Sequence, residues 1–193
     1  MLKTILLGLL KDVHAGDRHL AWNHPAVAAV QDSIVLTSDD FTAGGAIPIQ
    51  FAGKGVGQNT SPSLHWSNIP EGTEEFVLVM EDPDAPWPRP MVHLVAAGIS
   101  ATMSGLPAAA LSGDPASLGI TLGKGTLGID GYHGPRAPKG FGPHRYIFEI
   151  FALSKKLDLT GPPKLSELLT KMNNSVLGKG RLEGTFEQSA LTP

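Results

Sequence analysis

The chain has 193 residues, 41% of them apolar and 17% charged, which fits one ordinary globular domain. Its net charge of -3 comes without any basic run, which excludes an electrostatic nucleic-acid binder. Zero cysteines exclude disulfides, thiolate zinc sites and a cysteine nucleophile, while 23 glycines and 16 prolines point to many turns and a β-rich fold.

Residues 1–31 read as an N-terminal helical extension and 32–193 as the main domain. The apolar run from Ile5 to Leu10 is shorter than the core of a signal peptide, about 7–15 residues, and no small-x-small cleavage site follows it. It is far short of a membrane span. Leu2, Ile5, Leu6, Leu9 and Leu10 instead form a helical stripe over 2–11. Such a helix docks on its own domain or across a homodimer, so a chain cut near Asp32 is expected to fold but to change its association. The reading is a cytoplasmic protein with no stable membrane insertion.

From residue 33 the periodicity turns strand-like. "SIVLTS" (33–38) and "AIPIQF" (46–51) read as short strands, with Pro48 placing the second at an edge. A strand near Leu64 to Trp66 lies within turn chemistry. In "EEFVLVMED", Phe76, Leu78, Met80 and Asp82 share one face and Val77, Val79 and Glu81 the other. Two apolar faces make this strand central. "MVHLVAAGI" (91–99) and "RYIFEIFAL" (145–153) behave alike. "PPKLSELLTKMN" carries Leu165, Leu168, Leu169 and Met172 on one helical stripe, and "RLEGTFEQ" (181–188) reads as the last strand. Strands without regular βαβ alternation give a mainly β protein: an antiparallel β-sandwich with a large central sheet, a smaller sheet and a few peripheral helices.

"GKGTLG" (123–128) matches a dinucleotide-binding glycine pattern, but "IDGYHGPRAP" follows where a helix is required, so the motif fails. No nucleophile elbow or H-E-x-x-H helix occurs. The residues with chemistry lie elsewhere. Asp82 and Asp84 close a strand in "EDPDAP", either as turn-forming carboxylates or as a cleft lip that orients a histidine. His93 interrupts an apolar strand, as a satisfied core residue or as a ligand contact. His144 and Tyr146 alternate onto one face, and Arg145 points the other way to an ion pair. One carboxylate, two imidazoles and a phenol beside a Gly/Pro loop make a small-anion pocket. A metal site built on the same residues is the rival, although strand spacing alone does not bring them to metal distance.

"VLVMEDPDAP", "VHLVAAGI" and "GYHGPRAPKGFGPHRYIFEIFAL" resemble the signature regions of the phosphatidylethanolamine-binding protein family, also called Raf-kinase-inhibitor-like, in its bacterial branch. "NTSPSLHWSNIPEGTEEF" and "ELLTKMNNSVLGKGRLEGTFEQ" extend the likeness over about residues 33–188. The resemblance implies an anion pocket formed by Asp82, His93, Pro138, His144 and Tyr146, with backbone from Gly134 to Arg136. It also implies a cis Ala85–Pro86 peptide. Where the family usually reads Pro-Pro, this chain has Ala137-Pro138 beside Arg136, which gives a looser loop or one with an added cation.

The implied function is a binding protein for a small anion or phosphorylated head group, acting as a kinase or protease inhibitor or regulator through a protein partner. No cofactor, metal or catalytic residue is implied. The alternatives are a hydrolase that uses the Asp/His pocket on a phosphate or carboxylate ester, and an interaction protein with a vestigial pocket. Protonated His93 and His144, with Arg136 as an extra cation, are expected to attract the anion, so binding should weaken as pH rises.

Overall fold

The computed structural model describes residues 14–188. The helix expected over 2–11 lies outside the described residues. Among the described residues, eight strands form two antiparallel sheets. The small sheet has the order β1-β2-β5, from β1 (Val35–Thr37), β2 (Leu64–Ser67) and β5 (Gly105–Leu106). The large sheet has the order β6-β4-β3-β7-β8, from β3 (Glu75–Asp82), β4 (Met91–Ser100), β6 (Thr121–Leu122), β7 (His144–Leu153) and β8 (Val176–Phe186). The expected sandwich is the observed one. No helix among the described residues is long and apolar enough to cross a membrane.

The two-sided strands sort their residues into two layers. Phe76, Leu78, Met80, Leu94, Phe148 and Ile150 face the small sheet and meet Leu36, Leu64, Trp66 and Leu106. On the outer face, Val77, Val79, Val95 and Phe151 are covered by Leu168, Leu169 and Met172 of helix α1 (Leu165–Met172), and by Ala21 and Val27. Every residue of β3 is buried, as its central place demands. Residues 14–31 thus pack on their own chain, through short 3₁₀ turns at Asp17–His19 and Ala21–Asn23.

Two expected strands differ from the observed ones, and β5 and β6 were not anticipated. Residues 46–51 are not a strand. Ala46 makes a single bridge to Thr185, and a 3₁₀ turn follows over Ile49–Phe51, closed by Phe51 N donating to the Pro48 carbonyl at 3.0 Å. Pro48 has no N–H to offer a ladder, so the chain turns there. The last strand begins at Val176 rather than 181. Gly180 belongs to that strand because its bare Cα lets the Ile34 carbonyl close on the sheet; a Cβ there would collide with it.

A β-bulge fixes where β4 aims His93. Met80 pairs with Leu94, but Glu81 pairs with Val92, so β4 carries one extra residue at position 93. Regular alternation would send His93 to the outer face with Val95 and Ala97. The bulge returns it to the inner face.

Candidate functional site

Asp82, His93, Arg136, Pro138, His144 and Tyr146 line one cavity of about 390 Å³ at the end of the large sheet. The sequence-derived set is therefore brought together at one place. β3 delivers Asp82 from its last position, β7 delivers His144 and Tyr146 from one face, and the bulge in β4 delivers His93. Ala85 and Pro86 of the turn also line it, as do Trp87, Met91, His133 and Gln188, which were not singled out in the sequence. A larger groove of about 660 Å³, around Ile47, Ile49 and Phe186, shares Gln188 with it but contains none of the buried titratable groups.

Asp82 serves both roles that its sequence context left open. Its Oδ1 accepts from the backbone N–H groups of Asp84 (2.8 Å) and Ala85 (2.9 Å), closing the proline turn. Its Oδ2 lies 2.9 Å from His144 Nδ1. Because a carboxylate only accepts, His144 carries its proton on Nδ1, and Nε2 is the ring nitrogen left for the cavity. The Ala85–Pro86 peptide is not cis, contrary to expectation, since no cis peptide occurs among the described residues. The Asp82 carboxylate already closes the turn, so a cis proline is not needed to tighten it.

Arg145 points away from the cavity, as β alternation requires. Its backbone N–H and Nε donate to Asp84 Oδ2 at 2.8 and 2.9 Å, and Nη2 donates to Asp84 Oδ1 at 2.7 Å. Nη2 and Nη1 also reach Asp17 at 2.9 and 3.3 Å. Burial pushes the Asp84 carboxyl up, but the Arg145 bonds outweigh it and hold the group below its usual value. Gly16 N donates to the Pro83 carbonyl, so the N-terminal segment ties down the turn that holds Asp82.

His93 is 3% exposed, and its Nδ1 lies 2.7 Å from the His133 carbonyl oxygen. Its ring packs edge-on against Tyr146 with centroids 5.2 Å apart. Burial is the main influence on its pKa and drives it down to about 4, against the pull of Asp82. His93 is therefore neutral near pH 7, and the expectation that it lends positive charge to an anion is corrected. Burial likewise pushes the Tyr146 phenol up, so it stays a neutral hydroxyl.

The 132–138 loop is not loose. Tyr132 Oη donates to the Phe51 carbonyl (3.0 Å), Gly53 N to the Pro135 carbonyl (3.0 Å), and Gln188 Nε2 to the Ala137 carbonyl (2.8 Å). Gly134 N donates to Asn59 Oδ1 at 2.9 Å, and Arg136 N to the Tyr146 hydroxyl at 3.0 Å. A Cβ on Gly134 would collide with the Phe51 carbonyl, so glycine is required for this close crossing. The amides of Gly134 and Arg136 are thus occupied, and Pro135 has none; the loop backbone does not offer the donors expected of it. What it offers is the Arg136 side chain, exposed at the cavity rim. Among the described residues, no group of three or more His, Cys, Asp or Glu side chains could hold a metal ion.

The architecture is thus a β-sandwich that gathers an Asp-held histidine and a second, bulge-directed histidine in one end cavity. Residues 37–187 match the model of the family described as phosphatidylethanolamine-binding protein, and the chain belongs to that family. A UPF0098 protein of Aquifex aeolicus is 32% identical over 172 residues, 81% of this chain and 98% of that protein. UPF0098 protein YbcL of Escherichia coli is 39% identical over 123 residues, 61% of this chain and 67% of that protein. The crystal structure of YbcL, described as a new member of the mammalian PEBP family, matches with a TM-score of 0.74 at 30% identity. That match covers 81% of this chain and 99% of the YbcL chain.

Proposed function

We propose that the protein binds a small oxyanion, of the phosphate head-group type, in the cavity between His93 and His144. One observation carries this reading: two buried imidazoles, each fixed through Nδ1, border one cavity together with the Arg136 side chain, which supplies the positive charge. Their orientation is set before any ligand arrives, so little ordering cost remains at binding. Asp82 is occupied by three hydrogen bonds, which blunts its repulsion of an anion. Affinity is expected to be modest, on the order of micromolar to millimolar. In this reading the protein acts by occupancy, with a filled or empty cavity altering the rim that a partner protein such as a kinase or protease meets.

Nothing in the cavity favours the hydrolase alternative. Its wall has no serine, threonine or lysine to serve as nucleophile, and the Tyr146 phenol is held neutral. Calorimetric titration with inorganic phosphate and with O-phosphorylethanolamine tests the binding reading. Saturable binding that drops at least about tenfold in His144→Ala is expected. Absence of heat, together with unmoved amide resonances around Asp82 and His144, overturns it.

A further inference from the structure

Four buried side-chain atoms lack a hydrogen-bond partner among the described residues: Ser33 Oγ, Glu75 Oε1, Glu149 Oε1 and His93 Nε2. Of these residues only His93 borders the candidate cavity. The His133 carbonyl can only accept, so the bond at 2.7 Å places the His93 proton on Nδ1. Nε2 is then a bare lone pair, and a buried acceptor without a donor is costly. An oxyanion whose oxygens all lack protons would set lone pairs against that lone pair.

We propose that His93 makes the cavity selective for oxyanions that keep an acid O–H, with His93 Nε2 accepting that proton in a hydrogen bond. This rests on the oxyanion reading above and adds which protonation state the site takes. The ligand presents its charged oxygens to the Arg136 guanidinium and its O–H to His93 Nε2. Burial favours the same state of the ring, because a neutral His93 keeps the lone pair available through the physiological range. The other titratable or charged groups facing the cavity are Asp82, His133, His144, Arg136 and Tyr146. They act alike on ligands of equal charge and shape.

Inorganic phosphate and sulfate make that comparison. Both are tetrahedral dianions in mildly alkaline solution, but only phosphate retains an O–H. Phosphate is expected to bind the full-length protein on the order of tenfold or more tightly than sulfate. A methyl phosphate monoester loses its last O–H near pH ~6, so its affinity is expected to fall relative to inorganic phosphate as pH passes that point. His93→Phe is expected to erase the preference. Imidazole ¹⁵N spectra of the unmodified protein give a second readout that does not depend on that variant folding. They are expected to show His93 Nε2 unprotonated, with its resonance displaced by phosphate and not by sulfate. Equal binding of phosphate and sulfate overturns the selectivity and leaves the oxyanion reading standing. Failure of both anions to bind, or binding of methylammonium in their place, overturns both.

Discussion

His144 Nδ1 stands 2.9 Å from Asp82 Oδ2, with the two side chains 3% and 4% exposed. The same carboxylate closes the Asp84–Ala85 turn, so one group sets both the orientation of a cavity imidazole and the shape of the cavity lip. Asp82→Ala removes the acceptor of three hydrogen bonds at once and is expected to destabilise the fold by about 2–4 kcal/mol. Asp82→Asn keeps an oxygen for the turn and presents its amide to His144 Nδ1, which moves the imidazole proton to Nε2. Its stability loss is expected to be less than half that of the alanine variant. Thermal unfolding of the two proteins decides this, and equal losses would show that the turn bonds contribute nothing.

Behind the lip, Arg145 joins Asp84 to the N-terminal segment through Asp17. The two pairs are expected to differ in strength. Asp17 is 47% exposed, so Asp17→Ala is expected to cost less than about 1 kcal/mol. Asp84 is 17% exposed, and Arg145→Met strands its carboxylate, at a cost of about 2–4 kcal/mol. The Asp84 pKa lies below its unfolded value, so this contribution is present above the unfolded value and lost as pH falls through the folded one. Urea denaturation at neutral and at acid pH should show the Arg145→Met deficit shrinking under acid. A deficit that does not change with pH would assign the loss to packing of the arginine stem.

The large sheet was legible because β3, β4 and β7 carry apolar residues on both faces, a pattern that only a central strand satisfies. Asp82, His144 and Tyr146 were legible from strand alternation alone. His93 was not, because alternation assigns it to the outer face and the bulge that reverses this has no local marker in "MVHLV". The state of His93 was equally hidden, since its neutrality follows from burial beside Tyr146 and His133 rather than from residue type. Two further features were not legible. β8 starts at Val176, before the run read as the last strand, and the loop at Ala137-Pro138 is not loose because Asn59 and Tyr146 hold the amides of Gly134 and Arg136.

Glu81 and Glu149 meet on the outer face of the large sheet, 1% and 0% exposed. Glu81 Oε2 accepts from Ala21 N, and Glu149 Oε2 from Trp22 N at 3.2 Å. Burial pushes Glu81 up to about 7, and burial with the Glu81 charge pushes Glu149 well above its ordinary range. A proton retained by the pair gives Glu149 Oε1 the partner it otherwise lacks. Lys179 and Arg181 lie nearby and favour ionisation of Glu149 only weakly. The folded state therefore holds protons that the unfolded chain has released above about pH 4.5. Stability contributed by this pair falls as pH rises from there through about 7, where Glu81 ionises, and goes on falling for as long as Glu149 keeps its proton. Glu149→Gln supplies a permanent donor to Glu81 and keeps an acceptor for Trp22. It is expected to raise stability on the order of 1–3 kcal/mol at mildly alkaline pH and to change little near pH ~4.5. His93 titrates with the opposite sign in both proteins, so the difference between their melting curves isolates the glutamates. A variant less stable than the parent at alkaline pH would refute a retained proton.

The segment 14–31 covers the same buried carboxyls, which changes what truncation should do. Cutting the chain at Asp32 removes the Ala21 and Trp22 N–H groups from Glu81 and Glu149. It also removes the Trp22, Val27 and Ala28 carbonyls that hold Lys179 Nζ, itself on a side chain 3% exposed. Ala21 and Val27 leave the outer apolar layer, baring Val77, Val79 and Phe151 to a degree that α1 alone does not cover. Each stranded polar group costs about 1–3 kcal/mol, and a domain of this kind has about 5–15 kcal/mol in total. The chain that begins at Asp32 is therefore expected to lose cooperative folding, not merely to change its association as its sequence suggested. A chain lacking only residues 1–13 keeps every contact named here and is the comparison for the Asp32 chain. Circular dichroism melts with size-exclusion profiles of the two truncations decide it. A sharp melt for the Asp32 chain near that of the parent would show that residues 14–31 are an appendage after all.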